Sequence, residues 1–263
     1  MLNGLDLFSG IGGISLALKD YVRPVAYCEI DPYCQGVLLS RMGDGSIINA
    51  PIWDNIKTLD GNRFKFGIDI IYGGFPCQDI SVAGHGKGLA GERSGLFFEI
   101  VRLAKEIKPK FLFLENVPAI TSRGGLQIVR EIAEMGYDCR WCVISAASVG
   151  ALHKRERWFL LAHSSGERLE GHGRRTVCTE PKKSLFTSSR EDVAQAEGRA
   201  WRGHTGQCWP FESIEHWQKT VSEMGKCTDG ISDHVARLRG LGNAVVSQQV
   251  KKAFEILIGI AKK

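Results

Sequence analysis

From residue 1 to residue 163 the sequence alternates short apolar strands with amphipathic helical stretches, and this narrows the fold more than any other feature. Val25-Ala26-Tyr27-Cys28, Ile68-Asp69-Ile70-Ile71-Tyr72, Phe111-Leu112-Phe113-Leu114 and Trp158-Phe159-Leu160-Leu161-Ala162 read as strands. The continuous apolar run at 111–114 is of the kind buried on both faces. Asp31-Pro32 offers a helix cap followed by a first-turn proline. Ser94 stands before a helical pattern of Leu96, Phe97, Ile100, Val101, Ala104 and Ile107, which Pro109 stops. Leu126, Val129, Ile132 and Ala133 mark another helix, with Gly136 as its terminator. Such alternation implies an α/β fold with a mostly parallel sheet covered on both faces.

At Ser164 the texture changes. Over 164–235 the chain is rich in Gly, Arg, Glu, Ser and His and loses apolar periodicity, while Trp201, Trp209, Phe211 and Trp217 scatter large aromatics through it. A wholly disordered segment would not carry these aromatics, so the region reads as a small irregular inserted domain. Beyond it, Ala253, Phe254, Ile256, Leu257 and Ile260 restore an amphipathic helix, and 236–263 is expected to return to the sheet domain of 1–163. The full 263 residues are 43% hydrophobic and 24% charged, enough for a sizeable core. No apolar run approaches the roughly 20 residues of a membrane span, and Met1 is not followed by an export-signal pattern. The eight cysteines, irregularly spaced, then suggest reduced thiols in a cytoplasm. The net charge of +5 is compatible with a polyanionic partner without requiring one.

Four candidate sites follow expected strands, and three of them, Glu29, Cys77 and Glu115, fall at the carboxyl ends, where open α/β sheets bind ligands. Asp6-Leu7-Phe8-Ser9-Gly10-Ile11-Gly12-Gly13 follows the first strand and opens a helix. It is either a tight connection or a turn that lets a ligand approach the backbone at a helix N-terminus. Glu29 ends the next strand, placed to meet ribose hydroxyls, which admits adenosine ligands such as NAD or S-adenosylmethionine. Cys77 stands after Gly73-Gly74-Phe75-Pro76 and before Gln78, its approach stiffened by the proline. It is either a packed thiol or a reactive one. Glu115, after four apolar residues and before Asn116-Val117, is either a cap or ion-pair partner or a carboxylate tuned by its surroundings. Cys139 and Cys142 are separated by two residues on an expected strand, where their thiols face opposite ways, so packing is expected rather than zinc. His172, Cys178, His204 and Cys208 fit no standard zinc module, and no metal is expected.

With these residues in place, the chain resembles the DNA cytosine-5 methyltransferase family, of bacterial or phage type, along nearly its whole length. Asp6 to Gly13 matches the family's first motif, Gly74-Phe75-Pro76-Cys77-Gln78 its nucleophile motif and Glu115-Asn116-Val117 a third. Arg155-Glu156-Arg157 resembles the family's arginine element, and Arg237-Leu238-Arg239-Gly240-Leu241-Gly242-Asn243-Ala244-Val245 its closing motifs. The resemblance implies a Rossmann-like, S-adenosylmethionine-dependent fold. Residues 1–163 would then carry catalysis and the cofactor, and 164–235 target recognition.

The resemblance also implies roles. Cys77 would add to carbon 6 of a cytosine flipped out of duplex DNA, making carbon 5 nucleophilic toward the methyl group. Glu115 would hold the ring nitrogen and amine, Arg157 the base carbonyl oxygen, and Arg155 a neighbouring site or phosphate. For the cofactor it carries over Phe8 and Ile30 on the adenine, Gly10, Gly12 and Gly13 along the methionine part, and Glu29 on the ribose. Asp54 would lie near the adenine amine with Asn55 adjacent, and Pro76, Leu96, Asn243 and Ala244 would complete the pocket. Ile30 and Leu96 also have a plain packing reading, being apolar. The glycine-rich stretch from Gly84 to Gly91 resembles the family's mobile loop over DNA.

Departures from the pattern are Leu152-His153, where the family usually has Pro-Gln, and Ala244, where serine is frequent. The expected partner is double-stranded DNA, without a membrane. The chain is expected to act as a monomer in the cytoplasm at the bacterial nucleoid, and a separately acting cognate restriction endonuclease is a further candidate partner. Arg174, Arg175, Arg199 and Arg202 are candidates for reading flanking bases. The alternatives are cytosine-5 methylation of RNA, as in the tRNA-directed branch, and a catalytically silent DNA-binding regulator.

Overall fold

The computed structural model describes residues 1–65, 67–76, 95–164, 240 and 244–259. Seven strands form one sheet: β1 (Leu2–Leu7), β2 (Val22–Cys28), β3 (Ile52–Trp53), β4 (Ile70–Gly74), β5 (Phe111–Asn116), β6 (Tyr137–Ser145) and β7 (Glu156–Ser164). Their order is β3-β2-β1-β4-β5-β7-β6. The first five pair in parallel, and β7 runs antiparallel to both β5 and β6. The α/β, mostly parallel expectation therefore holds, with an antiparallel hairpin at one edge.

Strand alternation places successive side chains on opposite faces. Leu5, Leu7, Ile71, Leu112, Leu114, Trp158, Leu160 and Ala162 belong to one apolar cluster, packed with α3 (Leu96–Ile107) and α4 (Gly125–Glu134). Ile70, Tyr72, Phe111, Phe113, Phe159 and Leu161 belong to the other, packed with α1 (Gly13–Ala17) and α5 (Ser247–Ile258). A smaller cluster of Tyr27, Leu38 and Ile47 joins α2 (Pro32–Gly43) to β2. The two cysteines at 139 and 142 do point apart: Cys139 packs toward the first cluster and Cys142 toward the second.

Several local expectations hold. Asp31 caps α2, its carboxylate accepting from the N–H groups of Tyr33 and Cys34, with Pro32 in the first turn. Gly136 follows α4 with φ +87°, a left-handed position that suits glycine. Two helical faces differ from the sequence reading. In α4 the buried residues include Ile128 and Ile132, Val129 is half-buried, and Leu126 (76% exposed) and Ala133 face outward. An isoleucine at 128 and one at 132 lie one turn apart, and that pair, rather than Leu126, sets the buried stripe. In α5 Ala253, Phe254 and Leu257 are buried as expected, joined by Val250, whereas Ile256 is exposed. Ser94 and Ile260 lie outside the described residues, as does the expected inserted region apart from Ser164. Among the described residues no helix is long and apolar enough to cross a membrane.

The strand order reverses between β1 and β4, and here the backbones approach closely. Gly73 pairs with Leu7, and a Cβ on Gly73 would lie 1.9 Å from the Leu7 carbonyl oxygen. Backbone cannot yield as a flexible side chain can, so Gly73→Ala should separate the central pair. We expect a loss of about 3 kcal/mol or more in folding stability, read as a lower urea midpoint.

Candidate active site

One wall of the crevice is built on β1, β2 and β3. Phe8, Gly10 and Gly12 all have positive φ (55°, 53° and 80°). For glycine this is free, but for phenylalanine it is a strained conformation of the sort found where function constrains the backbone. The turn is fixed by its neighbours. Gly10 N–H donates to Glu29 Oε2 at 2.7 Å, and Asp31 N–H donates to Oε1 at 2.8 Å. Glu29 is 9% exposed, its own N–H donating to the Trp53 carbonyl and its carbonyl accepting from Gln35 Nε2. Arg41 of α2 donates to the Ile11 carbonyl at 2.6 Å.

A Cβ on Gly10 would meet nothing within 4 Å, one on Gly12 would press Leu38 and Ile47, and one on Gly13 would sit 2.9 Å from Val245 Cγ2. Gly10 thus borders open space while the next two glycines permit packing. α1 has only five residues and begins at an N-cap glycine without a side-chain cap. A helix so short sums little dipole, and in the loop before it the Gly10 and Gly12 N–H groups already donate, to Glu29 Oε2 and to the Ser9 carbonyl. Ile30 is 71% exposed, which removes its packing reading, whereas half-buried Leu96 does pack against the core. Asp54 is exposed, and Asn55 caps a short 3-10 turn by accepting from Lys57 N–H.

Beneath the glycine turn lies a buried polar chain. Ser15 Oγ donates to Asp6 Oδ2 at 2.5 Å and stands 2.7 Å from the Tyr72 hydroxyl. Asp6 Oδ1 has no hydrogen-bond partner among the described residues. Burial pushes the Asp6 carboxyl up to about 7, Ser15 and Ser9 opposing it and the Glu29 charge adding to it.

The second wall is built on β4, β5 and the start of β7. Glu115, 9% exposed, pairs through Oε1 with Arg157 Nε at 2.8 Å. Its other oxygen lies over Gly74, where a Cβ would come within 2.5 Å of it. Burial raises the Glu115 pKa, and the charges of Arg157 and Arg155 hold it back. Asn116, 2% exposed, donates from Nδ2 to the Phe75 carbonyl at 3.2 Å and accepts from Val117 N–H at 2.8 Å. It thereby fixes the turn through half-buried Pro76 toward residue 77. Arg155 turns to the closing segment instead, donating from Nη2 to the Ala244 carbonyl.

Glu29, Glu115, Arg157, Pro76 and the glycine turn therefore share the carboxyl edge of the parallel strands, with Ala244 held beside it. Cys77, Asn243, the Gly84–Gly91 stretch, the four candidate base-reading arginines and His172, Cys178, His204 and Cys208 lie outside the described residues. Among the described residues no group of three or more His, Cys, Asp or Glu is placed to hold a metal.

The model of the C-5 cytosine-specific DNA methylase family matches residues 2–253. The chain belongs to this family. It is 39% identical over 159 residues to the type II methyltransferase M.CviJI of Paramecium bursaria Chlorella virus IL3A, covering 60% of this chain and 42% of that one. It is 35% identical over 168 residues to the type II methyltransferase M.HhaI of Haemophilus parahaemolyticus, covering 61% and 48%. The chain spans about half the length of the curated relatives it matches. The solved Entamoeba histolytica methyltransferase EhMeth covers 100% of this chain and 99% of its own, with a TM-score of 0.64; at 15% identity it speaks for the fold alone. The resemblance to DNA cytosine-5 methylases thus stands as family membership, and the Rossmann-like methyltransferase fold with it.

Three residues at this edge had no role in the sequence reading. Gly74 and Asn116 sat inside quoted motifs, and a buried polar residue ending an all-apolar strand was the available signal for Asn116. Arg41 gave no signal, since it is a polar residue in the last turn of α2.

The raised Asp6 carboxyl has a consequence for stability. Between the ordinary carboxylate value and about 7 the folded chain holds a proton that the unfolded chain has released. Stability from this group therefore falls as pH rises through that window. Asp6→Asn should remove that dependence, gaining on wild type by on the order of 2–3 kcal/mol between about pH 5 and about pH 8. Urea unfolding of both proteins at the two pH values reads the difference directly.

Proposed function

We propose that this protein is a DNA cytosine-5 methyltransferase, using S-adenosylmethionine as methyl donor and Cys77 as nucleophile on a cytosine flipped from duplex DNA. The observation that carries this reading is the placement of two different walls on one sheet edge: a glycine turn tied to Glu29, and a Glu115–Arg157 pair beside the turn that leads to Cys77.

The donor fits the first wall. The space over Gly10 is open, Ile30 offers an exposed apolar face beside the turn, and the Glu29 carboxylate retains lone pairs for ribose hydroxyls beyond the two backbone donors it holds. Bound there, S-adenosylmethionine supplies an activated methyl group. Phe8 and Ile30 would hold the adenine, Gly10, Gly12 and Gly13 would admit the methionine part against the backbone, and Asp54, Asn55, Pro76, Leu96, Asn243 and Ala244 would line the remainder.

On the second wall, the Cys77 thiolate would form a bond to carbon 6 of the cytosine, placing electron density on carbon 5. Glu115 would hold a proton at the ring nitrogen as that density develops. Burial moves its pKa upward, the direction that favours holding a proton, while Arg157 and Arg155 oppose the shift. Arg157 would orient Glu115 and reach the base carbonyl oxygen. Once carbon 5 carries the methyl group, loss of its proton would expel the thiolate. Reading of flanking bases is assigned to 164–235, the only long stretch these roles leave free.

Cys77→Ala should abolish methyl transfer to duplex DNA while leaving S-adenosylmethionine binding unchanged. Duplex DNA carrying 5-fluorocytosine at the target should form a covalent adduct with wild type alone. Bisulfite sequencing of DNA from expressing cells locates the target, and tRNA assayed in parallel tests the RNA alternative. Appreciable turnover by the alanine variant would sink the mechanism.

Glu29→Ala should weaken S-adenosylmethionine binding by about 1–3 kcal/mol, the scale of a lost charged hydrogen bond. It also strips the Gly10 and Asp31 N–H groups of their acceptor. Calorimetry giving wild-type affinity would mean that the ribose is held elsewhere.

A further inference from the structure

Gln249 lies in the first turn of α5 and is 0% exposed. A glutamine enclosed in an apolar cluster costs free energy unless its amide is used, and a leucine or methionine would fill the space more cheaply. Its Nε2 donates to two backbone carbonyls, Ile144 at 2.6 Å and Arg155 at 2.8 Å. These lie where the β6–β7 hairpin opens, Ile144 being paired with Arg157. The Arg155 carbonyl also accepts from Ala146 N–H at 3.1 Å, so the chain is held there from two sides.

Arg155 returns the contact. Its guanidinium donates to the carbonyl of Ala244, five residues before Gln249. The segment 244–249 thus grips Arg155 at its backbone and at the tip of its side chain, closing a ring. Each end of the ring leads to one wall of the site. Val245, next to Ala244, lies where a Cβ on Gly13 would be only 2.9 Å from it. Two residues after Arg155, Arg157 pairs with Glu115. Arg155 itself acts on Glu115 through its charge, and Arg157 and Arg155 are the charged groups acting on that carboxyl among the described residues.

We propose that Gln249 is a positioning residue that couples the glycine turn at Gly13 to the Glu115–Arg157 pair, by fixing Arg155 while Arg155 fixes Ala244. The coupling deepens the methyl-transfer reading and rests on it for its purpose, though not for its measurement. Displacement of the turn at Gly13 would press on Val245, and the ring would carry it to Arg155, whose charge acts on Glu115. The site's two halves then adjust together rather than independently.

The test follows the Glu115 titration in the full chain, from the isotope-edited carboxylate signal with Glu115→Gln as blank. Wild type, Gly13→Ala, Gln249→Met and the double variant form a cycle. Gly13→Ala pushes Val245 and should move the titration upward by about half a unit or more when Gln249 is present. With Gln249→Met in place, which keeps the volume and removes the donors, the same glycine change should move it no further. Phe254→Leu, a core change on α5 away from the ring, should lower the melting temperature without shifting Glu115. Equal shifts in both backgrounds, no shift in either, or a shift from Phe254→Leu overturns the proposal. Should Gln249→Met fail to fold, Arg155→Lys breaks the ring at its other bond and enters the same cycle. Calorimetry of wild type with S-adenosylhomocysteine runs alongside: absence of binding sinks the methyl-transfer reading, while the titration cycle still decides the coupling.

Discussion

The site depends on the contact between β1 and β4, where Gly73 admits the Leu7 carbonyl into the space a side chain would fill. Strand order reverses at this pair, so the connections leaving β1 and β4 diverge to opposite sides and leave a crevice between them. The glycine turn leaves from β1 and the Phe75-Pro76 turn from β4. A Cβ at Gly73 would force the ends of the two central strands apart, just where both turns begin. Everything else at the site, from the Glu29 bridge to the Glu115–Arg157 pair, is hung on strands whose positions follow from that spacing.

Two buried carboxyls near this edge show how neighbours divide the work. Burial raises both Asp6 and Glu115. Asp6 sees hydroxyls and another carboxylate, and among the described residues nothing cationic offsets its desolvation. Glu115 sees two arginines, one in direct contact, so its proton affinity depends on where those arginines stand. A carboxyl whose state depends on movable partners is suited to chemistry. One enclosed by fixed hydroxyls is suited to holding a turn in place.

Much of the layout was legible in the sequence because it rests on short-range rules. A proline after an aspartate marked α2, a glycine marked the end of α4, and continuous apolar runs marked β4, β5 and β7. Glu29 and Glu115 were legible because a carboxylate after an apolar run has few inexpensive places to go. What escaped depends on three-dimensional adjacency. Leu126 and Ile256 fit a helical period as well as their buried neighbours do, and only the sheet decides which stripe it covers. The resemblance gave Arg155 a neighbouring-site or phosphate role and said nothing of a contact within the chain. Arg155 turns to Ala244, a residue 89 positions away, and nothing local could have announced that. Gln249 was invisible for the same reason: a polar residue in an amphipathic helix looks like surface until its neighbours are known.

The placement of α5 bears on how the chain is made. It covers the face of the sheet formed by Tyr72, Phe113, Phe159 and Leu161, with Val250, Phe254 and Leu257 supplying the matching surface. Those strands emerge from the ribosome long before residues 250–257 do. For the time needed to synthesise the intervening stretch, roughly 5–20 s for a hundred residues, α1 packs on this apolar face without α5 beside it. Tyr21 and Asp20, which later bind Glu255 and Lys251 of α5, wait through the same interval. Helix α5 therefore acts as a timing element: the second apolar cluster closes, and the glycine turn gains its Val245 neighbour, only after the stretch between β7 and α5 has been translated.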